Sequence, residues 1–484
     1  MNIPLRRVAL VCGAMFFSLL ANITYVQTVG ARGLYADPRN ERALLARFGH
    51  PRGDILTYEG RTIVRSRESR RGPYEYRRVY TDGEMYAPVT GYVSLHQAAG
   101  IEQAENGVLS GDDPGMRMRR LVRDGEVDGA DVRLTIRQRV QWAAYQSLRS
   151  AGLPGAAVAI DPATGAILAL ASYPSYDPNA YSTLNPDRLA RVDHDLSLDP
   201  GRPLLNRALE RSYPPGSAFT VVTAATALAS GEYTPESRLS GPARLPLPGR
   251  PDHLSNPGGR PCGDGTPSLA RAFRRSCDTA FADLGLRLGQ DSLRDQAEAF
   301  GFGAGDLAIP LRVVPSTLPR ELDRAGTALT AAGRHLERAT PLVIAMLSAA
   351  VANDGVMMRP YLVQDVRLPD GSIINRGDAT PYRTTLAAPL ARQLASMMTA
   401  VTRPGGTGTA AAIAGVEVAA GGTPAAFSGI RPATGAGPRD HAVFTAFAPA
   451  DAPEVAVGVV LEHAPPGDSA AIPIARAVLQ AALS

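Results

Sequence analysis

The sequence predicts an α/β fold: an antiparallel sheet with helices, preceded by a membrane anchor and an elongated, mostly β N-terminal module. Three observations carry this prediction. Apolar β runs flank the turn Asp161-Pro-Ala-Thr-Gly165, two further β runs (HAVFTAFAP and EVAVGVVLEH) lie near the end of the chain, and helical patterns fill the segment between them. Strands at both ends with helices between them favour one domain whose sheet is completed by the last part of the chain.

The first element is an apolar run from Val8 to Val26, which follows Arg6 and Arg7. A run of this length spans a bilayer, and the preceding positive charge favours a cytoplasmic start. No small-residue cleavage site follows, which favours a retained anchor over a removed signal peptide. We therefore expect a single-pass protein of the cell membrane, with residues 1–7 in the cytoplasm, 8–26 in the membrane and the bulk of the chain outside.

The next element, residues 27–150, is charged and rich in turns, with short β-like runs at 53–56 and 78–80. This composition predicts an elongated module without catalytic function. At its end, RLTIRQRVQWAAYQSLRS has apolar residues at helical spacing, and Trp142, the only tryptophan, is expected in the core. The α/β domain then takes residues 151–484 and closes with the helical pattern IPIARAVLQAAL.

The charges exclude one class of partner. The chain has 50 basic and 46 acidic residues and a formal net charge of +4, without a basic patch, so we expect no nucleic-acid ligand. None of the basic residues is lysine; all are arginine, which stays protonated and cannot act as a general base. The seven histidines show no metal-binding spacing, so we expect neither a metal nor a cofactor.

The cysteines leave one pair to consider. Cys12 lies inside the apolar run, so Cys262 and Cys277 are the only two that would meet in an oxidising compartment. They are candidates for a disulfide bond, which would stabilise the fold by roughly 3 kcal/mol in the chain-entropy treatment. Two buried free thiols are the alternative.

Four landmarks follow one another along the α/β domain, and their order carries a resemblance. They are YPPGS at 213–217, SCDTAFADLG at 276–285, ATPLVIAMLSAAVANDG at 339–355 and GGTGTAAAIAGVEVAAGGTPAA at 405–426. This order resembles the class B penicillin-binding proteins. RNERALLARFGHPRGDI and YTDGEMYAPVTGY, in the N-terminal module, resemble the actinobacterial penicillin-binding protein A type.

The resemblance implies a transpeptidase domain of the penicillin-binding and serine β-lactamase type at 151–484, and a dimerisation or pedestal-like domain at 27–150. It also implies work on peptidoglycan. In this family a serine attacks the D-Ala-D-Ala bond of a stem peptide, and the acyl group passes to an amine. Expected partners are peptidoglycan itself or proteins of cell-wall synthesis and division. The sequence does not decide whether the protein acts in cell division or in elongation.

The family's active site rests on the motifs Ser-x-x-Lys, Ser-x-Asn and Lys-Thr-Gly, and this chain departs from all three. Ser217 matches the nucleophile, but Thr220 stands at the position of the general base. Ser276 matches the second serine, but Asp278 replaces the asparagine. The third motif, which contacts substrate, aligns with the segment Gly422, Thr423, Pro424 and Ala425, without its lysine.

These departures predict a loss of catalysis. Removing a general base typically costs a factor of roughly 100 to 10,000 in rate, and a threonine hydroxyl accepts no proton at neutral pH. Two lost lysines and one gained aspartate would also repel a substrate carboxylate. The hypothesis is a degenerate transpeptidase that acts as a non-catalytic scaffold or regulator.

Three alternatives remain open at this point. Asp278 could act through Ser276 as the base for Ser217, which would preserve weak D,D-transpeptidase activity. One of the histidines could approach Ser217 and make a hydrolase. Finally, Ser217 could be an ordinary helix cap and Asp278 a solvated or capping residue.

Overall fold

The computed structural model describes residues 3–26, 47–69, 74–113, 115–116, 129–421, 441–465 and 469–484. In this part of the chain the helices are α1 (Ile3–Tyr25), α2 (Gly83–Thr90), α3 (Gly100–Ala104), α4 (Asn106–Leu109), α5 (Gln138–Ala151), α6 (Pro186–Leu198), α7 (Thr220–Ala229), α8 (Leu269–Arg275), α9 (Asp278–Leu288), α10 (Gln290–Ala299), α11 (Arg324–Ala331), α12 (Pro341–Ala352), α13 (Ala388–Thr402) and α14 (Ala471–Leu483).

The strands of the same residues follow in chain order. They are β1 (Ile55–Leu56), β2 (Thr62–Glu68), β3 (Tyr76–Tyr80), β4 (Asp131–Leu134), β5 (Gly155–Ile160), β6 (Ile167–Tyr173), β7 (Arg244–Pro246), β8 (His253–Ser255), β9 (Ala308–Ile309), β10 (Leu311–Arg312), β11 (Val356–Met358), β12 (Val363–Arg367), β13 (Ile373–Arg376), β14 (Pro381–Thr384), β15 (Ala419–Gly421), β16 (Ala442–Ala448) and β17 (Val455–Leu461).

The main sheet is antiparallel, with the strand order β15-β16-β17-β5-β6. Strands β5, β16 and β17 are buried along their whole length, which explains their continuous apolar sequences. Helix α12 packs on β17 so closely that a Cβ atom at Gly458 would lie 2.4 Å from the Ala345 nitrogen. The predicted α/β fold, in which late strands complete a sheet begun by the hairpin at residues 155–173, is confirmed.

A second sheet, with the order β13-β12-β4-β1-β2-β3, joins the two parts of the chain. Strand β4 of the N-terminal part pairs with β12, so that Leu134 lies opposite Val363 and Asp131 opposite Arg367. The hairpin β12–β13 therefore follows residue 150 in the sequence but is hydrogen-bonded to the sheet of the N-terminal part. The division of the chain at residue 150 did not foresee that the later residues add two strands to this sheet.

Helix α5 forms where helical spacing predicted it, but the expectation that Trp142 lies in the core is wrong. The side chains of Val140, Ala144 and Leu148 are buried, whereas Trp142 is 57% exposed. The reason is the helical period, since position 142 falls on the face opposite to these three residues.

The N-terminal helix matches the predicted anchor. Within the described residues, Arg6–Tyr25 is the one helix that is long and apolar enough to cross a membrane, with a mean hydropathy of 1.8 and none of its surface buried.

Candidate active site

Ser217 lies in a short 3₁₀ turn, Gly216–Phe219, that leads directly into α7. Gly216 has a φ of 55°, a left-handed conformation that glycine adopts without strain. Ser217 is buried, and its hydroxyl has no hydrogen-bond partner among the described residues and makes no capping bond. An ordinary helix cap is therefore not its role, since a capping hydroxyl accepts a hydrogen bond from a backbone N–H.

Thr220 is also buried, and its hydroxyl donates a hydrogen bond of 2.6 Å to the carbonyl oxygen of Ser217. This local bond to the preceding turn is typical of threonine at the start of a helix. The Thr220 hydroxyl is therefore already engaged with the backbone. It does not take the place of the amine that the family uses to accept the serine proton.

The second landmark forms a tight corner between α8 and α9. Ser276 ends α8 in the left-handed region, with φ 52° and ψ 57°, which is uncommon for a residue other than glycine. Its hydroxyl is buried, and no residue in the described part of the chain forms a hydrogen bond with it. The next residue, Cys277, forms a disulfide with Cys262, with the two Cα atoms 5.9 Å apart, which ties this corner to the segment before α8.

Asp278 begins α9 and is fully buried, so it is not a solvated residue. Its Oδ2 accepts a hydrogen bond of 2.8 Å from Nη2 of Arg334, which is also buried. Burial raises the pKa of the Asp278 carboxyl, and the charge and hydrogen bond of Arg334 partly offset that rise. The second carboxylate oxygen, Oδ1, receives no hydrogen bond from the residues that the structure describes.

Arg334 reaches the site through the loop between α11 and α12. Gly333 has a φ of 72°, and a Cβ atom there would lie 1.8 Å from the carbonyl oxygen of Gly216. In addition, the Thr223 hydroxyl donates to the Ala331 carbonyl at 2.8 Å, which holds the end of α11 against α7. The loop thus lies directly on the turn that carries Ser217 and places Arg334 between that turn and Asp278.

The sequence analysis missed Arg334, and its account of the charge needs correction. A pocket with one added negative charge was expected, but the structure pairs that charge with a cation. No motif marks Arg334 among the 50 arginines of the chain. The one available signal was Asp278 itself. A buried carboxylate requires a cationic partner, and in a chain without lysine that partner has to be an arginine.

Glu337, in the same loop, was also missed. Its carboxyl is buried, and one oxygen accepts a hydrogen bond of 3.0 Å from the backbone N–H of His335. Burial raises the pKa of Glu337 from 4.5 to about 7. The folded protein therefore holds this proton up to about neutral pH, whereas the unfolded chain releases it near pH 4.5.

We expect this difference to make stability fall as the pH rises. Between pH 4.5 and 7 the unfolded state has released a proton that the folded state keeps, so the free energy of unfolding drops by roughly 3 kcal/mol. Thermal unfolding of the full-length protein at pH 5 to 8 measures this loss. Glu337→Gln should flatten the profile, whereas the exposed control Glu321→Gln should leave it unchanged. Equal slopes in all three proteins would contradict the assignment to Glu337.

The third landmark is only partly described. Strand β15 ends at Gly421, opposite Thr445 of β16, and a Cβ atom at Gly421 would lie 2.3 Å from Cγ2 of Val221. The edge of the main sheet therefore runs beside α7. The aligned positions of the third motif, which are Gly422, Thr423, Pro424 and Ala425, lie outside the described residues.

The described residues thus bring the first two landmarks together around one buried ion pair. No described side chain accepts a hydrogen bond from the Ser217 hydroxyl. Likewise, no group of three or more His, Cys, Asp or Glu residues in the described ranges has the geometry of a metal site.

A buried serine at the start of a helix, beside an antiparallel sheet and a second serine corner, is the transpeptidase type of fold that the resemblance implies. Residues 155–480 match the penicillin binding protein transpeptidase domain, and residues 52–132 match the penicillin binding protein A dimerisation domain. The chain belongs to the penicillin-binding protein transpeptidase family, which works in cell-wall synthesis.

The individual relatives cover both parts of the chain. Peptidoglycan D,D-transpeptidase PbpA of Mycolicibacterium smegmatis is 40% identical over all of this chain and 99% of its own length, and that of Mycobacterium tuberculosis is 39% identical over the same shares. The crystal structure of PBPA from M. tuberculosis superposes with a TM-score of 0.84 at 37% identity, over 90% of this chain and all of that one. Its penicillin G acyl-enzyme complex gives a TM-score of 0.82 at the same identity and coverage.

Proposed function

We propose that this protein is a single-pass membrane member of the peptidoglycan-synthesis machinery that has lost transpeptidase turnover and acts as a scaffold or regulator. Its membership of the family and the name Peptidoglycan D,D-transpeptidase of its relatives support a place of action at peptidoglycan. The observation that carries the loss of turnover is the Ser217 hydroxyl, which is buried and has no proton acceptor among the described residues.

The chemistry explains why this observation matters. When a serine oxygen attacks the carbonyl carbon of the D-Ala-D-Ala bond, its proton must pass to a base and later to the leaving amine. In the family, a lysine one helical turn after the serine accepts this proton. Here Thr220 stands at that position, and its hydroxyl donates a hydrogen bond to the Ser217 carbonyl oxygen instead. Arginine cannot substitute, because it remains protonated.

The substrate's carboxylate must also be held by a cation, and the cation at the second landmark is already paired. Arg334 is bound to Asp278 at 2.8 Å, so its charge is largely neutralised. A stem peptide would have to break this buried pair to gain the same contact. Binding of peptidoglycan or of other cell-wall synthesis or division proteins through the remaining surface then becomes the function that the fold retains.

Labelling with a fluorescent penicillin tests the proposal. The full-length protein in a nonionic detergent should form its covalent adduct at least about 100-fold more slowly than the M. smegmatis relative under the same conditions, because the general base is missing. The Ser217→Ala variant sets the background. Labelling that depends on Ser217 and approaches the rate of the relative would refute the loss of turnover.

A second candidate function is weak D,D-transpeptidase activity with Asp278 as the base, relayed through Ser276. The observation in its favour is that Asp278, Ser276 and Ser217 are all buried, although no hydrogen bond between described residues links Asp278 Oδ1 to either hydroxyl. Against it stands the Arg334 contact, which stabilises the carboxylate and makes it a poorer base. Asp278→Asn combined with Arg334→Gln, which leaves no unpaired buried charge, distinguishes the two functions. It should abolish any residual labelling if Asp278 is the base and leave the labelling rate unchanged otherwise.

A further inference from the structure

A groove of about 840 Å³ runs between helices α5 and α14, and none of the candidate active-site residues lines it. Its walls and floor are largely apolar and are formed by Trp142, Ala143, Pro473, Ile474, Ala477 and Ala481. The floor is recessed, because Ala143 and Ile474 are only 8% and 3% exposed, while Trp142 stands at 57%. An exposed tryptophan beside a concave apolar surface is typical of a protein-binding site.

The charged side chains of the two helices that form this groove have one sign. Arg139 lines it, and Arg149 and Arg476 are exposed on the same two helices. Neither helix carries an acidic side chain, as the sequences QRVQWAAYQSLRSA and AIPIARAVLQAAL show. Glu59 lies at the beginning of α5, but its carboxylate accepts the backbone N–H of Gln138 and so serves the helix terminus.

We propose that the α5–α14 groove binds an amphipathic α-helix of a partner protein, whose apolar stripe is flanked by acidic side chains. Two packed helices leave a groove into which the side chains of a third helix fit. The 14 residues of α5 give the groove a length of about 21 Å, which matches a helix of about four turns. The positive rim then selects acidic flanks on that helix.

Two other occupants fit the groove less well. A second copy of the chain would bring the same arginines against each other, which costs binding energy. A lipid surface inserts protruding apolar side chains, whereas here the apolar floor lies below the rim. The proposal concerns a face distinct from the Ser217 site and holds whether or not that site turns over.

The single tryptophan provides a site-specific measurement, because excitation at long wavelength reports on Trp142 alone. The full-length protein in a nonionic detergent is titrated with a synthetic helix of about 15 residues that carries a leucine stripe with glutamates on both sides. We expect a saturable shift of the Trp142 emission to shorter wavelength. A matched peptide with lysine in place of every glutamate should bind at least about tenfold more weakly.

Charge reversal supplies the decisive control. Arg139→Glu with Arg476→Glu should invert the preference, so that the lysine peptide binds better, whereas Arg188→Glu with Arg191→Glu on α6 should leave it unchanged. The proposal is overturned if neither peptide shifts the emission or if both bind equally. It is also overturned if the emission shifts with phosphatidylglycerol vesicles and not with the peptide, or if self-association of the protein alone produces the shift.

Discussion

A variant that combines Thr220→Lys, Asp278→Asn, Arg334→Gln and Gly422→Lys is expected to be acylated by penicillin at least about 100-fold faster than the unmodified protein. The new lysine at position 220 supplies the missing proton acceptor one helical turn after Ser217. Asparagine at 278 and lysine at 422 restore the residue types that the family carries in its second and third motifs. The rate of covalent labelling by a fluorescent penicillin measures the recovery.

Arg334→Gln belongs in this set because of the ion pair that the structure reveals. Asp278→Asn alone would leave the buried Arg334 guanidinium without its carboxylate, which is strongly destabilising. We therefore expect the four-residue variant to be labelled faster than the variant that keeps Arg334. Thr220→Lys alone should recover little of the labelling rate, because these groups act as one unit. If the rate stays low, Pro424→Gly is the next change, since proline removes a backbone donor.

The control for recovery is the same four-residue variant with Ser217→Ala, which should not label. Equal rates with and without Arg334→Gln would show that the ion pair does not constrain the site. Rapid labelling of the unmodified protein would show that another residue already accepts the proton of Ser217.

Arg334→Ala is expected to lower the free energy of unfolding by about 3–5 kcal/mol. The substitution leaves Asp278 buried and charged without its partner, and burial already disfavours the ionised form of this carboxyl. Replacing both residues by alanine should cost less than this single change, because no unpaired charge remains. Denaturant titrations of Arg334→Ala, Asp278→Ala and the double variant, followed by circular dichroism, give the three changes in the free energy of unfolding and, from them, the coupling energy.

The chain offers a matched control in the exposed ion pair of Arg392 and Asp354, whose side chains are 63% and 54% exposed. Arg392→Ala should change stability by no more than about 1 kcal/mol, since solvent screens an exposed pair. If Arg334→Ala lowered the free energy of unfolding as little as Arg392→Ala does, the ion pair of Arg334 and Asp278 would not stabilise this site as we expect.

Local patterns were sufficient for the elements of the main sheet. The strands at 155–173 and 442–461 have continuous apolar sequences, and the turn at 161–165 joins the first two, so their pairing could be predicted from the sequence. The helix at 138–151 was predicted for the same reason. The position of Trp142 on this helix was not predicted correctly. An apolar period identifies the buried face only when every apolar residue lies on that face, and Trp142 lies on the opposite one.

The candidate site divides in the same way. Ser217, Thr220, Ser276 and Asp278 stand at fixed spacings within recognisable landmarks, so their positions could be assigned before the structure. Arg334 contacts Asp278 across 56 residues of sequence, and no local spacing encodes that contact. The same holds for Glu337, whose raised pKa results from burial that depends on the packing of the whole loop.

The pairing of β4 with β12 has a consequence for the order in which the chain folds. Leu134 is made early during synthesis, but its partner Val363 follows only after most of the later domain. Until then one side of β4 is an open strand edge, which other chains can pair with. Such long-range pairing slows folding and lengthens the time for which aggregation competes. The two parts matched by separate family models therefore mature as one unit, and an N-terminal fragment released alone would keep an unsatisfied edge along β4.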